Sequence, residues 1–366
     1  MRPVLFAFHA PLFGEVSFPA YFTLLTIGFG LAMILTVRES RRLGMDHERI
    51  LDTNLWMVVW GIIGARVLHL IADGHFHDYV NLCRDPEKVP AIDALTSYCT
   101  TAAQCGYDYL CNAATHKCYP PRDCFAAVKV WRGGLAYYGG FVFAVAFAYY
   151  YVRKYKLGWW RTADLSAPGI MLGLVCGRLG CFLNGCCYGK PTTSWLGVVF
   201  PQRPGTAVHP TQLYESVAGG LLLVLALVVW RKRRFPGQVL LTVGFGYAVF
   251  RFLIELWRDD AERGRVGPEL ARPVAVACGL LALGAALAVG PARSIRGRVG
   301  RALAWAAGPA VALGAYALLR PAPFVAPVLE PLSTSQWAAL FTGTAAALAY
   351  RPLERLHLRA AELQAS

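Results

Sequence analysis

Charge is what this chain has least of. Of its 366 residues only 16% are Asp, Glu, Lys or Arg, whereas 56% are hydrophobic, and the mean hydropathy is positive at +0.42. A soluble domain carries about a quarter charged residues, so a soluble fold is not expected and an integral membrane protein is. Acid is scarcer still, with 22 Asp and Glu against 36 Lys and Arg and a net charge of +14. Such an excess can mark nucleic-acid binding. Here the cations stand in short runs between apolar segments rather than on one soluble face, so no nucleic-acid partner is expected. Residues 1–37 have no basic leading segment and no small-residue cleavage site, and therefore read as a retained first span rather than a signal peptide. Internal repeats and low-complexity tracts are also missing.

What is present is a series of apolar windows of about 20 residues, the length that crosses a bilayer. They fall near 19–37, 54–73, 134–152, 164–183, 211–230, 237–256, 272–290, 301–319 and 334–350, so an all-α polytopic protein of about nine spans is expected. Basic runs follow every second window: Arg38 to Arg42, Arg153 to Arg161, Arg231 to Arg234, Arg293 to Arg301 and Arg351 to Arg359. The excess of Lys and Arg in cytoplasmic loops puts all of these on the inner side, the N-terminus outside and the C-terminus in the cytoplasm.

One connection is long and polar. Residues 74–129 hold Cys83, Cys99, Cys105, Cys111, Cys118 and Cys124, an even number in a segment too small for a core of its own. Three disulfides are expected on the external side, with fifteen pairings open. A zinc site is the competing reading, but the segment has no Cys-x-x-Cys pair, and His75, His77 and His116 are scattered.

Polar residues inside the apolar windows are few and costly. An arginine at the centre of a membrane helix costs about 2.5–3.5 kcal/mol unless an anion or water meets it. Arg178 in Gly177-Arg-Leu-Gly-Cys-Phe-Leu-Asn184, Arg66, and Arg251 with Glu255 stand at such depth, as does the run His209-Pro-Thr-Gln-Leu-Tyr-Glu215. Together they outline a polar cavity that suits a lipid phosphate. Each has a plainer alternative: Arg178 snorkelling to the interface, Arg251 and Glu255 neutralising each other at i, i+4, and His209-Pro210 starting a helix. The glycines from 173 to 189 leave one face bare, for a neighbouring helix or a headgroup. Tyr247, Arg251, Glu255 and Arg258 form a stripe richer than one ion pair requires. Adjacent Cys186 and Cys187 invite a thiol–disulfide enzyme, but the redox spacing of such enzymes is missing.

These motifs resemble the prolipoprotein diacylglyceryl transferases of the bacterial inner membrane. Trp131 to Gly140 is similar to that family's glycine-rich third-span motif, Gly177 to Gly189 to its signature, His209 to Glu215 to its His-Pro-Ser/Thr-Gln-Leu-Tyr-Glu run, and Tyr247 to Arg258 to its Tyr…Arg…Glu-Phe-Phe-Arg run. Ser333 to Trp337 resembles the start of its last span. The resemblance implies transfer of the diacylglyceryl group of phosphatidylglycerol to the thiol of a lipobox cysteine in a prolipoprotein signal peptide, forming a thioether and releasing glycerol phosphate. Its partners are then phosphatidylglycerol, the precursor and membrane lipids, with no metal or organic cofactor. By the same resemblance Arg178, Arg251, Glu255, Tyr138 and His209 are the catalytic candidates. Arg66, Asn184, Gly189, Tyr247, Arg258, Gly139 and Gly140 are the substrate-binding ones.

The chain departs from the family at several of these places. Cys181 stands for an asparagine and Cys186 for a glutamate of the signature, Tyr138 for a histidine, and Leu25 for a tyrosine of the first span. A tyrosine with an ordinary pKa of about 10 is a poor base at neutral pH, so His209 shares that assignment. The family usually has seven spans, so 272–319 is expected as an inserted hairpin and 74–129 as a second insertion within one domain of residues 1–366. The rival readings are a paralogue that binds phospholipid without this activity or with another acceptor, and a membrane thiol–disulfide oxidoreductase.

Overall fold

The computed structural model describes residues 4–10, 14–72, 75–89, 99–101, 105, 109–112, 114–129, 136–201, 203–259, 264–295, 297–322 and 324–365. Ten helices lie among them: α1 (Ala20–Arg42), α2 (His47–Ala72), α3 (Phe76–Arg84), α4 (Tyr137–Lys154), α5 (Trp159–Asn184), α6 (Thr211–Lys232), α7 (Gln238–Ile254), α8 (Arg272–Val289), α9 (Arg298–Leu319) and α10 (Thr334–Ala365). Seven of these are long and apolar enough to cross a membrane. Of the remaining two apolar windows of the sequence, 334–350 falls on α10 and 134–152 on α4 from Tyr137 onward, while the motif residues Trp131 to Leu135 lie outside the described residues. The connections carry what an all-α reading omits, namely four antiparallel hairpins: β1 (Val4–Ala10) with β2 (Gly14–Pro19), β3 (Leu110–Asn112) with β4 (Lys117–Tyr119), β5 (Val198–Val199) with β6 (Ala207–Val208), and β7 (Leu270–Ala271) with β8 (Leu329–Glu330).

The chain divides into two compact units, residues 46–157 and the remainder. In the larger unit α7 is the central helix. One of its faces joins α5 and α6 through Met171, Leu222, Ala226, Val239 and Val243, and the other packs Phe252 among Val276, Leu280 and Leu283 of α8, Ala312 of α9 and Ala339 of α10. Each fully buried side chain of this size contributes about 1.5–3 kcal/mol if the alternative is water. In lipid the gain comes from close packing instead. The opposite faces expose Ile34, Val217, Leu221 and Phe341, as lipid-facing surfaces require.

The start of α7 needs a partner, because the first amides of any helix lack intrahelical acceptors. Asp164, fully buried on α5, supplies it by accepting from the backbone N–H of Gly237 at 2.8 Å and of Leu240 at 2.9 Å. An acid in the first third of an apolar window is thus spent on holding two spans in register.

In the smaller unit α2 and α4 pack through glycines. A side chain at Gly139 would place its Cβ 2.2 Å from the carbonyl oxygen of Gly64, and one at Gly140 would sit 3.0 Å from that of Gly61. Close backbone approach of this kind is what small residues permit between membrane helices. Tyr151 donates to Asp52 across the same pair at 3.0 Å. The cysteine-rich segment carries three disulfides, Cys83–Cys124, Cys99–Cys111 and Cys105–Cys118. Cys111 and Cys118 lie opposite each other in the β3–β4 register, yet each bonds outward, so the hairpin is pinned on both strands. Arg66 of α2 anchors the end of this segment, donating to the carbonyls of Ala126 at 2.6 Å and Ala127 at 2.8 Å and lying over the Tyr79 ring.

Removing the cap of α7 leaves buried amides unmatched, a penalty of about 1–3 kcal/mol. Asp164→Ala is therefore expected to lower the thermal unfolding midpoint of the detergent-solubilised protein, whereas Asp164→Asn, which keeps an acceptor, lowers it less. Equal midpoints for the wild type and Asp164→Ala would remove the cap from the account of stability.

Candidate functional site

Three arginines and two glutamates meet where α5, α6 and α7 end or begin. Glu215, on the second turn of α6 and 1% exposed, is the centre. Its Oε2 lies 2.7 Å from Arg178 Nε, and its Oε1 lies 3.0 Å from Arg251 Nη1 and 2.8 Å from Arg258 Nη1. Arg251 also reaches Glu255 Oε2 at 2.9 Å and Ser335 Oγ at 3.3 Å, and Ser333 donates to Glu255 Oε1 at 3.0 Å. Three guanidiniums against two carboxylates leave one positive charge in a buried place. The three cations are not equivalent. The Arg258 side chain is 1% and that of Arg251 10% exposed, whereas Arg178 keeps 21%. Arg178 is thus the guanidinium of the three best placed to meet a ligand.

The backbone around the cluster explains how it assembles. Helix α5 stops because Gly185 takes a left-handed φ of 74°. The amide of Cys186 then bonds back to the Cys181 carbonyl at 3.2 Å, the closing bond of a Schellman end. From there the chain is tied to the start of α6: Gln212 donates to Cys186 O at 2.6 Å and Thr211 to Cys187 O at 3.0 Å. Gly189 bonds to His209 O at 2.8 Å and bridges Arg258, and a Cβ there would fall 2.1 Å from the Trp257 carbonyl. The glycine therefore serves as a joint between three segments.

The remaining candidates distribute as follows. His209 stands at this joint with Nδ1 3.1 Å from the Tyr214 hydroxyl, and burial pushes its imidazole below the ordinary range. Tyr247, partly buried, packs against the core around Leu222. Asn184 is exposed at the end of α5 and touches the Cys186 thiol. Tyr138, Gly139, Gly140 and Arg66 belong to the smaller unit, where Tyr138 is exposed, the glycines seat α4 on α2 and Arg66 holds the cysteine-rich segment. Beside Glu255 and Arg258 opens a cavity of about 360 Å³ whose wall includes Lys190, Arg265, Arg272 and Gln336.

Sequence reasoning misses the centre of the site. Glu215 is noticed only as one polar residue of a run, and Ser333 and Ser335 only as the start of a span. The available signal is the apolar background: a carboxylate on a bilayer-length helix requires a cation, and the chain offers Arg178, Arg251 and Arg258 at matching depth. A second group also emerges from the geometry. The sulfurs of Cys181, Cys186 and Cys187 lie within 4.8 Å of one another, and these thiols are free. The similar trio of Cys99, Cys105 and Cys111 is consumed by disulfides.

Such a buried, net-positive cluster at the ends of packed apolar helices sets a charged centre inside a polytopic membrane protein. The comparison with known proteins makes the class specific. The profile of the prolipoprotein diacylglyceryl transferase family matches residues 7–290, and the chain belongs to that family. A phosphatidylglycerol–prolipoprotein diacylglyceryl transferase of Clostridium tetani is 28% identical over 270 residues, 73% of this chain and 88% of the relative. The enzymes of the same name from Geobacter sulfurreducens, 42% identical over 137 residues, and Bordetella bronchiseptica, 41% over 133, match 37% and 36% of this chain. In those two alignments the chain spans about half the length of the relative, 53% and 50%.

Glu215 holds the cluster together. Removing one partner of a buried ion pair costs about 3–5 kcal/mol because an uncompensated charge is left behind. Glu215→Gln is expected to lower the unfolding midpoint in detergent, and to do so more than Glu255→Gln, which leaves Arg251 one carboxylate. Intact stability in Glu215→Gln would show that the arginines do not depend on it.

Proposed function

We propose that this protein transfers the diacylglyceryl group of phosphatidylglycerol to the lipobox cysteine of a prolipoprotein, making a thioether and releasing glycerol phosphate. The observation that carries the reading is the excess positive charge of the Arg178, Arg251, Arg258, Glu215 and Glu255 cluster, set in a chain of this family. The reaction breaks the bond between the glyceryl carbon and the phosphate oxygen, so negative charge grows on the phosphate. A donor fixed against that oxygen stabilises the transition state more than the bound lipid. Arg178, partly exposed, suits contact with the phosphate. Arg251 and Arg258 act through Glu215, which aims Arg178. The acceptor thiol must lose its proton, and His209, neutral at pH 7 because burial lowers its pKa, suits that transfer. The resemblance adds Tyr138 and Arg66 to the residues that handle substrate.

The same reading places the chain in the bacterial inner membrane, with its basic connections in the cytoplasm and the disulfide-bonded segment outside. The precursor's signal peptide and the outer-leaflet lipid are then its partners.

Two measurements test this. In nanodiscs of defined phosphatidylglycerol content with a lipobox peptide, Arg178→Lys is expected to lose at least about a hundredfold in turnover, the usual cost of removing a fixed anion donor. A lysine is a point charge without the planar fork that holds two phosphate oxygens. Near-wild-type rates would make Arg178 a structural cation. On intact spheroplasts, a membrane-impermeant thiol reagent should fail to label Cys83, Cys99, Cys105, Cys111, Cys118 and Cys124 until an impermeant reductant is added. Labelling of all six without reductant would refute the oxidised external arm, and protection that persists after reduction would refute its sidedness.

A further inference from the structure

Two of the residues at which this chain departs from its family's signature, Cys181 and Cys186, meet in space with the neighbouring Cys187. Cys181 closes the last turn of α5, and Cys186 and Cys187 follow the left-handed Gly185. Cys187 itself has φ 63°, a conformation that costs a side-chain-bearing residue of order 1–3 kcal/mol and persists only where the surroundings impose it. The effect of that turn is to fold the Cys187 sulfur back on the other two. All three sulfurs lie within 4.8 Å of one another, and the Cys186 thiol donates to the Cys181 carbonyl at 3.7 Å. The three differ in exposure: Cys181 is buried, Cys186 half-buried and Cys187 exposed, so the group has a closed base and an accessible edge.

We propose that Cys181, Cys186 and Cys187 bind one divalent d10 ion of the zinc class, whose open fourth position receives the thiol of the acceptor peptide. The second half of this statement rests on the transferase reading; the first does not. Zinc–thiolate bonds of about 2.3 Å put tetrahedral sulfurs roughly 3.8 Å apart, so the present spacing needs a contraction of about 1 Å at most. Soft thiolates select zinc and similar ions over magnesium or calcium. A site with three protein ligands leaves one position for water or substrate, which is the pattern of catalytic rather than structural zinc. The three thiolates and the ion together carry one negative charge, and Arg178 and Arg258 stand close enough to act on Cys187 electrostatically.

The chemistry balances without an oxidant or reductant. As the acceptor sulfur takes the fourth position, its proton passes to the His209 imidazole or to water. The bound thiolate then attacks the glyceryl carbon, the carbon–oxygen bond to phosphate breaks, and its electron pair leaves on glycerol phosphate, which recovers the proton. Metal-held thiolate thereby supplies the activation for which Tyr138 is a poor base. The phosphate side of the reaction stays with the arginines.

Cobalt(II) is a suitable probe, because tetrahedral thiolate coordination gives visible ligand-field bands. The purified full-length protein in detergent, with its external disulfides oxidised, is expected to develop such bands with one equivalent of cobalt. The triple variant Cys181→Ser, Cys186→Ser, Cys187→Ser should not, and substitution of the one remaining exposed free thiol, Cys278→Ser on α8, should behave as wild type. Should the triple variant fail to fold, Cys187→Ser at the exposed ligand is expected to weaken cobalt affinity by at least about tenfold, the scale of losing even an outer-shell partner. A lipobox peptide should shift the bands, and the same peptide with serine for its cysteine should leave them unchanged. Absent bands, bands that survive the triple substitution, or bands indifferent to the thiol peptide overturn the proposal. Peptide-sensitive bands in preparations that never transfer lipid would instead refute the transferase reading and leave the thiol-binding metal site standing.

Discussion

One carboxylate sets the terms for the rest of the larger unit. Three guanidiniums cannot share a buried space by themselves: taking each out of water costs several kcal/mol, and at close range they repel. Glu215 answers all three with two oxygens, and the arginines come from α5, from α7 and from the turn after α7. The ends of three segments are thereby required to meet at one point on α6. Much of what surrounds them serves that requirement. Gly185 turns the chain out of α5, Gly189 lets three strands of backbone touch, Gln212 and Thr211 fasten the returning loop, and Asp164 fixes α7 against α5 at the other end of the same helices. A cluster held this firmly is preorganised, as the proposed transfer, in which charge grows on a phosphate, requires.

The cluster is also incomplete in a useful sense. Two of its cations are sealed by their partners, while the third is partly open and the sum of charges is positive. An ion-pair network built only for stability would be expected to close on itself, since each unmatched charge in an apolar medium is a cost. An excess cation retained beside an accessible edge is better explained by a visiting anion. The cavity next to Arg258, with Lys190, Arg265 and Arg272 in its wall, extends the same field beyond the cluster.

How much of this can be read from the sequence follows from the kind of signal involved. The helices are legible because a span needs about 20 apolar residues; the described part of each of the nine windows falls mainly on one helix. The i, i+4 pair of Arg251 and Glu255 is legible because it depends on local geometry alone. Glu215 is not, because its partners lie 36, 37 and 43 positions away and only the packing of α5, α6 and α7 brings them together. The roles of Arg66, Gly139 and Gly140 illustrate the reverse case. A motif marks them as important without saying whether they touch a ligand, and their contacts here are with the carbonyls of residues 126 and 127 and with the backbone of α2. The short hairpins escape notice because two- and three-residue strands have no period to detect, and the cysteine pairing because an even count permits fifteen solutions.

The disulfide-bonded segment and the free thiols show one element put to two uses. Cys111 and Cys118 sit on strands of only three residues, Cys99 and Cys105 lie outside any strand or helix, and the segment is too short to bury a core, so covalent bonds replace packing. The cysteines at 181, 186 and 187 occupy the opposite situation, at the end of a well-packed helix whose loop is already secured by Gln212 and Thr211. A further cross-link there adds little stability, because the closed loop would be only five or six residues and the entropy removed from the unfolded chain grows with loop length. Three adjacent sulfurs that contribute no covalent bond, held by a left-handed Cys187 that the fold must impose, are therefore poorly explained by stability. Strain retained without a structural return points to chemistry, and the chemistry open to three clustered thiols near the Arg178 guanidinium is the handling of another sulfur.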